Sequence, residues 1–118
     1  FEAAMDIQDH LQSLALAHVE AHVFGCFRAA VERQPAGPER EALQTLCALH
    51  GVSTLAQHAG WFLENGYVEA AKARALRRLV TRLCAEVRPL AVPLVDAFGI
   101  PDAVLSAPIA FEGYADQA

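Results

Sequence analysis

Between Glu2 and about Gln34 the chain carries no proline and a single glycine, Gly25, in a run dominated by Ala, Leu, Glu, Gln and Arg. Those residues lose little freedom in a helix, so the stretch predicts one long helix. Its apolar residues fall on two sides. Ile7, Leu11 and Leu14 form one line, and Leu16, Val19, Val23 and Phe27 run along nearly the opposite one. A helix that buries both sides belongs in the middle of a bundle or at an interface.

Punctuation residues divide the rest of the chain. Gln34-Pro35-Ala36-Gly37-Pro38 reads as a turn, and Pro38 with Glu39 and Glu41 behind it suits the first turn of a second helix. That helix is expected to run to about Asn65, where Asn65-Gly66 supplies a left-handed stop. Leu49, Val52, Leu55, Ala56, Ala59, Phe62 and Leu63 mark one of its faces, and Leu43, Leu46, Cys47 and Trp61 another. Gly51 and Gly60 weaken it by about 1 kcal/mol each relative to alanine, unless they permit a close helix approach or a local break. A third helix over about 68–87 is the cleanest amphipathic segment, with Leu76, Leu79, Val80, Leu83 and Val87 as its stripe. Pro89 and Pro93 force a kink or restart near Arg88, a short helix occupies about 89–98, and it stops at Gly99. One more helical turn is expected from Ile100-Pro101-Asp102 to about Ser106, with 111–118 as tail. With no alternating strand pattern, the expected fold is all-α: a single domain over 1–118, built as an antiparallel bundle of about three long helices plus one or two short ones.

The apolar fraction is 54% and the charged fraction 19%, which is more apolar than a soluble domain usually is and assigns part of the surface to a partner. No uninterrupted run of about 18 apolar residues and no basic-then-apolar N-terminus is present, so neither a membrane span nor a secretory signal is expected. Cys26, Cys47 and Cys84 are odd in number, lack CxxC spacing and lie within helical patterns, which reads as reduced core thiols. Eight arginines against one lysine, with abundant alanine, suggest a bacterial coding sequence and a cytoplasmic protein. The chain opens on Phe1 with the helical pattern already running, as a piece of something longer would.

Candidate chemistry is sparse. His18, His22 and Cys26 stand at i, i+4 and i+8 on one helix face, a spacing that presents zinc ligands, but a structural site wants four, and His50 and His58 add no pair at fixed spacing. Metal binding is not expected. Lys72, Arg74, Arg77, Arg78, Arg82 and Arg88 against Glu86 leave 72–88 at +5 within a chain of net charge −5. This is a solvated outer face or, through Arg74 and Arg78, a contact with another subunit or domain; nucleic-acid binding is not expected of so acidic a chain. No serine lies in GxSxG, and no phosphate-cradling glycine loop exists, so no catalytic residue is assigned. Asp96 in Leu-Val-Asp-Ala-Phe would have a raised pKa if buried, or else pairs with an arginine or caps backbone amides. Trp61-Phe62 could stack on a flat ligand but suits core packing or an interface anchor better.

Several stretches carry a family likeness. Asp9-His10-Leu11 with Leu14-Ala15, Ala17-His18 and Val19-Glu20, then Leu46-Cys47-Ala48-Leu49 with Trp61-Phe62-Leu63-Glu64 and Gly66, and finally Arg88-Pro89 with Leu94-Val95-Asp96-Ala97-Phe98-Gly99-Ile100-Pro101-Asp102 and Pro108, resemble in order and spacing the C-terminal helical domain of the acyl-CoA oxidases. The resemblance implies a parent enzyme that binds FAD and oxidises fatty acyl-CoA to trans-2-enoyl-CoA with release of hydrogen peroxide. It places the glutamate that removes the alpha proton, and most flavin contacts, in upstream domains, so no catalytic residue transfers here and this chain alone is expected to hold no FAD. It implies packing on those flavin-binding domains and a homodimer. Pro93 departs from the family pattern, and the tail to Ala118 does not end in a peroxisomal tripeptide, which favours the bacterial cytoplasm over the peroxisome. The competing reading is a free-standing helical interaction module with no oxidoreductase role.

Overall fold

A computed structural model describes residues 2–101 together with 104, 105 and 107; for 1–6 and 9 no side chain is described. It contains α1 (Glu2–Glu32), α2 (Pro38–Gln57), α3 (Ala59–Glu64), α4 (Ala70–Val87), a 3-10 turn (Arg88–Leu90) and α5 (Ala91–Asp96), with no strand among the described residues. The all-helical reading holds. The chain divides into two compact units, 1–88 and 89–118.

The first unit is organised around α2, which packs against both α1 and α4. Pro38 opens α2 where its missing N–H costs nothing, Glu39 and Glu41 face the positive helix end, and the Glu41 N–H donates to the Gly37 carbonyl at 3.1 Å. The five-residue connection 33–37 makes α1 and α2 antiparallel neighbours, so Phe24 meets Gly51 while Glu20, a turn earlier, meets His58, a turn and more later. Gly51 is the point of closest approach: a Cβ built there would lie 2.6 Å from Phe24 Cε2.

The expected single helix from Pro38 to Asn65 is interrupted at His58. The interruption costs little in hydrogen bonds, because the His58 N–H still reaches the Thr54 carbonyl at 3.3 Å and the His58 carbonyl accepts from Phe62 N–H at 3.2 Å. α3 then ends as Asn65-Gly66 predicts. Gly66 takes φ 71°, its N–H donates to the Leu63 carbonyl at 3.2 Å, and Tyr67 N–H reaches back to the Phe62 carbonyl at 2.9 Å. These two bonds form a Schellman cap, completed by Tyr67 packing edge-on against Phe62. α4 buries Ala73 and Leu83 and turns its arginines outward.

In the second unit the α-helix stops at Val87 and restarts at Ala91, as the prolines require. Pro93 is the third residue of α5, within the first turn whose N–H groups have no intrahelical partner, which is why it is tolerated there. Gly99, at φ 60°, closes the segment by donating to the Asp96 carbonyl at 2.9 Å. Val104 is in 3-10 conformation, with its N–H on the Pro101 carbonyl at 3.0 Å, where one more helical turn is expected; Asp102, Ala103, Ser106 and 108–118, the tail included, lie outside the described residues.

The expectation that α1 buries both sides is not met within this chain. Only Val31, Cys47, Ala59, Ala73 and Leu83 are buried among the described residues, while Leu14 remains 67% and Val19 56% exposed. The cause is geometric. Among the described residues α1 packs chiefly on α2, with its closest approach where Phe24 meets Gly51. The stretch His10–Glu32 is long and apolar enough to cross a membrane by length and composition, although charged and polar residues interrupt it.

The glycines give a three-way test of this packing in chemical denaturation. Gly51→Val should cost about 1–3 kcal/mol through overpacking against Phe24. Gly66→Ala should cost about 1–2 kcal/mol for its left-handed backbone. Gly60→Ala, with no neighbour within 4 Å, should gain up to about 1 kcal/mol from helix propensity.

Candidate functional site

Beyond the Phe24–Gly51 contact, α1 and the α2–α3 segment enclose a groove of about 820 Å³. Leu14, Ala17, Ala21 and Phe24 form one wall, and Val52, Leu55, Trp61 and Phe62 the other. Its polar lining is His10, Ser13, Thr54 and one side-chain pair, in which His58 Nε2 lies 3.2 Å from Glu20 Oε1 and so joins the two walls. Sequence reasoning missed this pair. Glu20 and His58 are 38 positions apart, and only the antiparallel register of α1 on α2 brings them together.

At the groove's α3 end Trp61 is the centre of an aromatic cluster. Its ring stacks on Tyr67 (centroids 5.5 Å apart, planes at 11°) and meets Phe62 edge-on at 5.5 Å. Trp61 is half exposed and Phe62 more covered, so the pair is split between surface and groove wall. Tyr67 was missed by the sequence reading; the signal for it was Gly66, whose left-handed turn folds the next residue back over α3.

On the other side of Phe24 lies a smaller cavity of about 230 Å³, lined by Phe24, Arg28, Val31, Glu32, Gln44, Cys47 and Ala48. Burial pushes the Cys47 thiol above its ordinary value of 9.0, with Arg28 opposing and Glu32 reinforcing the shift. The expectation of three core thiols is therefore corrected: Cys47 is buried, but Cys26 and Cys84 are exposed because their helix faces have no neighbour here.

The remaining candidates do not converge. His22 Nε2 lies 3.5 Å from Cys26 Sγ, but no group of three or more His, Cys, Asp or Glu side chains could hold a metal among the described residues. His50 packs on Phe27 with ring centroids 6.3 Å apart. Asp96 is exposed at the end of α5 and has no arginine partner among the described residues. On α4, Arg82 pairs with Glu86 at 3.6 Å, whereas Arg74, Arg77 and Arg78 are exposed and make no ion pair among the described residues.

Such a molecule, with few buried residues and a wide apolar flank, is of the class of helical domains that complete their core against other protein. Residues 1–113 match the acyl-CoA oxidase family profile, and the chain belongs to the acyl-CoA oxidase family. It is 37% identical over 112 residues to peroxisomal acyl-coenzyme A oxidase 3 of Homo sapiens, covering 92% of this chain and 16% of that protein. It is 36% identical over 104 residues to acyl-coenzyme A oxidase 2, peroxisomal, of Arabidopsis thaliana (88% and 15%). It is 31% identical over 108 residues to the acyl-coenzyme A oxidase-like protein of Mus musculus (92% and 17%). The chain thus spans about one-sixth of the length of these relatives. No solved structure matches it.

These relatives overturn the bacterial cytoplasmic assignment: they are eukaryotic, and two of them are named peroxisomal. Arginine and alanine bias reflects coding composition, which does not track compartment. The groove does not fit the pyrophosphate of FAD. Its carboxylate, Glu20, would repel it, the His58 imidazole is already engaged by that carboxylate, and Arg74, Arg77 and Arg78 stand on α4, outside the groove walls.

Thiol labelling checks the small cavity. Cys26 and Cys84 should react rapidly with a maleimide at neutral pH and Cys47 slowly, by mass spectrometry of the labelled peptides. Because the folded pKa of Cys47 is raised, the folded state holds its proton where the unfolded state has lost it. Stability should therefore fall as pH rises above the ordinary thiol value, and Cys47→Ser should flatten that decline in denaturation series.

Proposed function

We propose that residues 1–118 act as one C-terminal helical domain of an FAD-dependent acyl-CoA oxidase. In this reading the parent oxidises a fatty acyl-CoA to its trans-2-enoyl-CoA and passes the electrons to oxygen as hydrogen peroxide. The observation that carries the reading is the family match over 1–113, and the exposed apolar length of α1 agrees with it. Flavin and catalytic groups would sit in the upstream domains, and this chain contributes structure: apolar surface to be covered, and a contact that helps form a homodimer. The names of the relatives favour a peroxisomal location.

Trp61, Phe62, Arg74 and Arg78 are the residues proposed at the contact. An exposed Trp braced by Tyr67 is a rigid anchor with little entropy left to lose. Arg74, Arg78 and Arg82 repeat at i, i+4 and i+8, and like charges at that spacing disfavour the helix by about 0.2–0.5 kcal/mol per pair. Acidic groups outside the chain would remove that cost.

The test is the complete reading frame that contains these residues. It should encode flavin-binding domains upstream, and its product should be yellow and release hydrogen peroxide from palmitoyl-CoA. A start codon beside Phe1 preceded by a stop would instead establish the free-standing interaction module. In the full polypeptide, Arg74→Glu with Arg78→Glu should lower the dimer fraction in sedimentation, whereas Arg28→Glu, on another helix and paired to Glu32, should not.

A further inference from the structure

On α1, outside the lining of the groove, stands a pair of metal-ligand side chains. His22 Nε2 lies 3.5 Å from Cys26 Sγ, and both residues are exposed. Their separation of four positions places one above the other on the helix surface. A zinc ion about 2.3 Å from a sulfur and about 2.0–2.1 Å from a nitrogen, with a tetrahedral angle between them, sets those two atoms about 3.5 Å apart. The pair therefore stands at the bite of a zinc chelate. Space in front of it is open, because a Cβ built at Gly25, next to Cys26, would meet nothing within 4 Å. Within one chain the set stops at two, since no third His, Cys, Asp or Glu joins them among the described residues.

A tetrahedral structural site wants four ligands, and the same pair from a second copy supplies the missing two. A two-fold axis through the metal achieves this with no other chemistry, because it brings both copies of the pair to one point. We propose that His22 and Cys26 are half of a zinc site with two cysteine and two histidine ligands, completed by the same two residues of a second copy of this chain, so that zinc joins two copies through α1. The charges balance. Each thiol releases its proton on binding, the two thiolates neutralise the divalent ion, and the imidazoles bind uncharged. A neutral centre suits its surroundings, because Val19 and Val23 stand one turn before His22 and Cys26 and are 56% and 46% exposed. The contact covers both valines around the metal. It rests neither on the oxidase reading nor on the contact proposed at Trp61, Phe62, Arg74 and Arg78.

Titration of the complete polypeptide with zinc sulfate tests this, after purification in a chelator and in a phosphine reductant so that no disulfide forms. One zinc should bind per two chains, with a first shell of two nitrogens and two sulfurs in X-ray absorption. Zinc should raise the sedimenting mass, and chelator should lower it again. Cys26→Ser should weaken zinc binding about a hundredfold or more, since losing even a ligand's hydrogen-bond partner costs about 10–100-fold. His22→Cys, which puts another metal ligand at the same position, should keep one zinc per two chains with sulfur alone around the metal. Cys84→Ser, which removes the other exposed thiol, should change neither binding nor mass. One zinc per chain, a mass that does not respond to zinc, or binding unaltered in Cys26→Ser would overturn the proposal. Equal loss of binding in Cys84→Ser would overturn it as well.

Discussion

The contact between Phe24 and Gly51 fixes the geometry of the first unit. α1 and α2 could cross at many points along their apolar lengths, but only at Gly51 does α2 lack the Cβ that would hold α1 away. Crossing there sets the register, and the register carries Glu20 to His58 and Arg28 to the neighbourhood of Cys47. N-terminal to the Glu20–His58 contact, Leu11, Leu14 and Leu16 of α1 remain exposed.

This explains how a chain that is 54% apolar buries so few residues completely. Two helix pairs, α1 on α2 and α2 on α4, can each bury one stripe per helix, and α2 spends both of its faces in doing so. Among the described residues α1 packs chiefly on α2, and α4 packs on α2 with a smaller contact to α3. For α4 the outer face is arginine, which water solvates; for α1 it includes Val19 and Val23, which remain exposed. The imbalance is a property of the amino-acid pattern, and it agrees with a match that spans about one-sixth of each relative.

Legibility in the sequence followed the range of the interaction. Pro38, Gly66, Pro89 and Gly99 act on their own backbone dihedrals or hydrogen bonds, and each marks a boundary where the chain turns or restarts. The amphipathic stripe of α4 is equally local, and Leu83 is buried on it as expected. The break at His58 was hidden because Ala56, Ala59, Phe62 and Leu63 continue the helical period through it, and only Gly60 hinted at it. The two-sided pattern of α1 was read correctly as a pattern, but burial needs a neighbour, and periodicity does not say which chain supplies it. The Glu20–His58 pair was out of reach for the same reason: it depends on a register set by one glycine.

Phe24 does more than close the crossing. Its ring lines both the 230 Å³ cavity over Cys47 and the 820 Å³ groove, and with Ala48 of α2 it stands between them. The two spaces differ in chemistry because of it. The small one keeps a desolvated thiol near the Arg28–Glu32 pair, and the large one keeps an apolar trough tied by an imidazole and a carboxylate. Both spaces therefore depend on the position of this ring, which packs on Gly51. The size of residue 24 is thus matched to the absence of a side chain at residue 51: a smaller ring would open the partition, and a larger residue at 51 would push the helices apart.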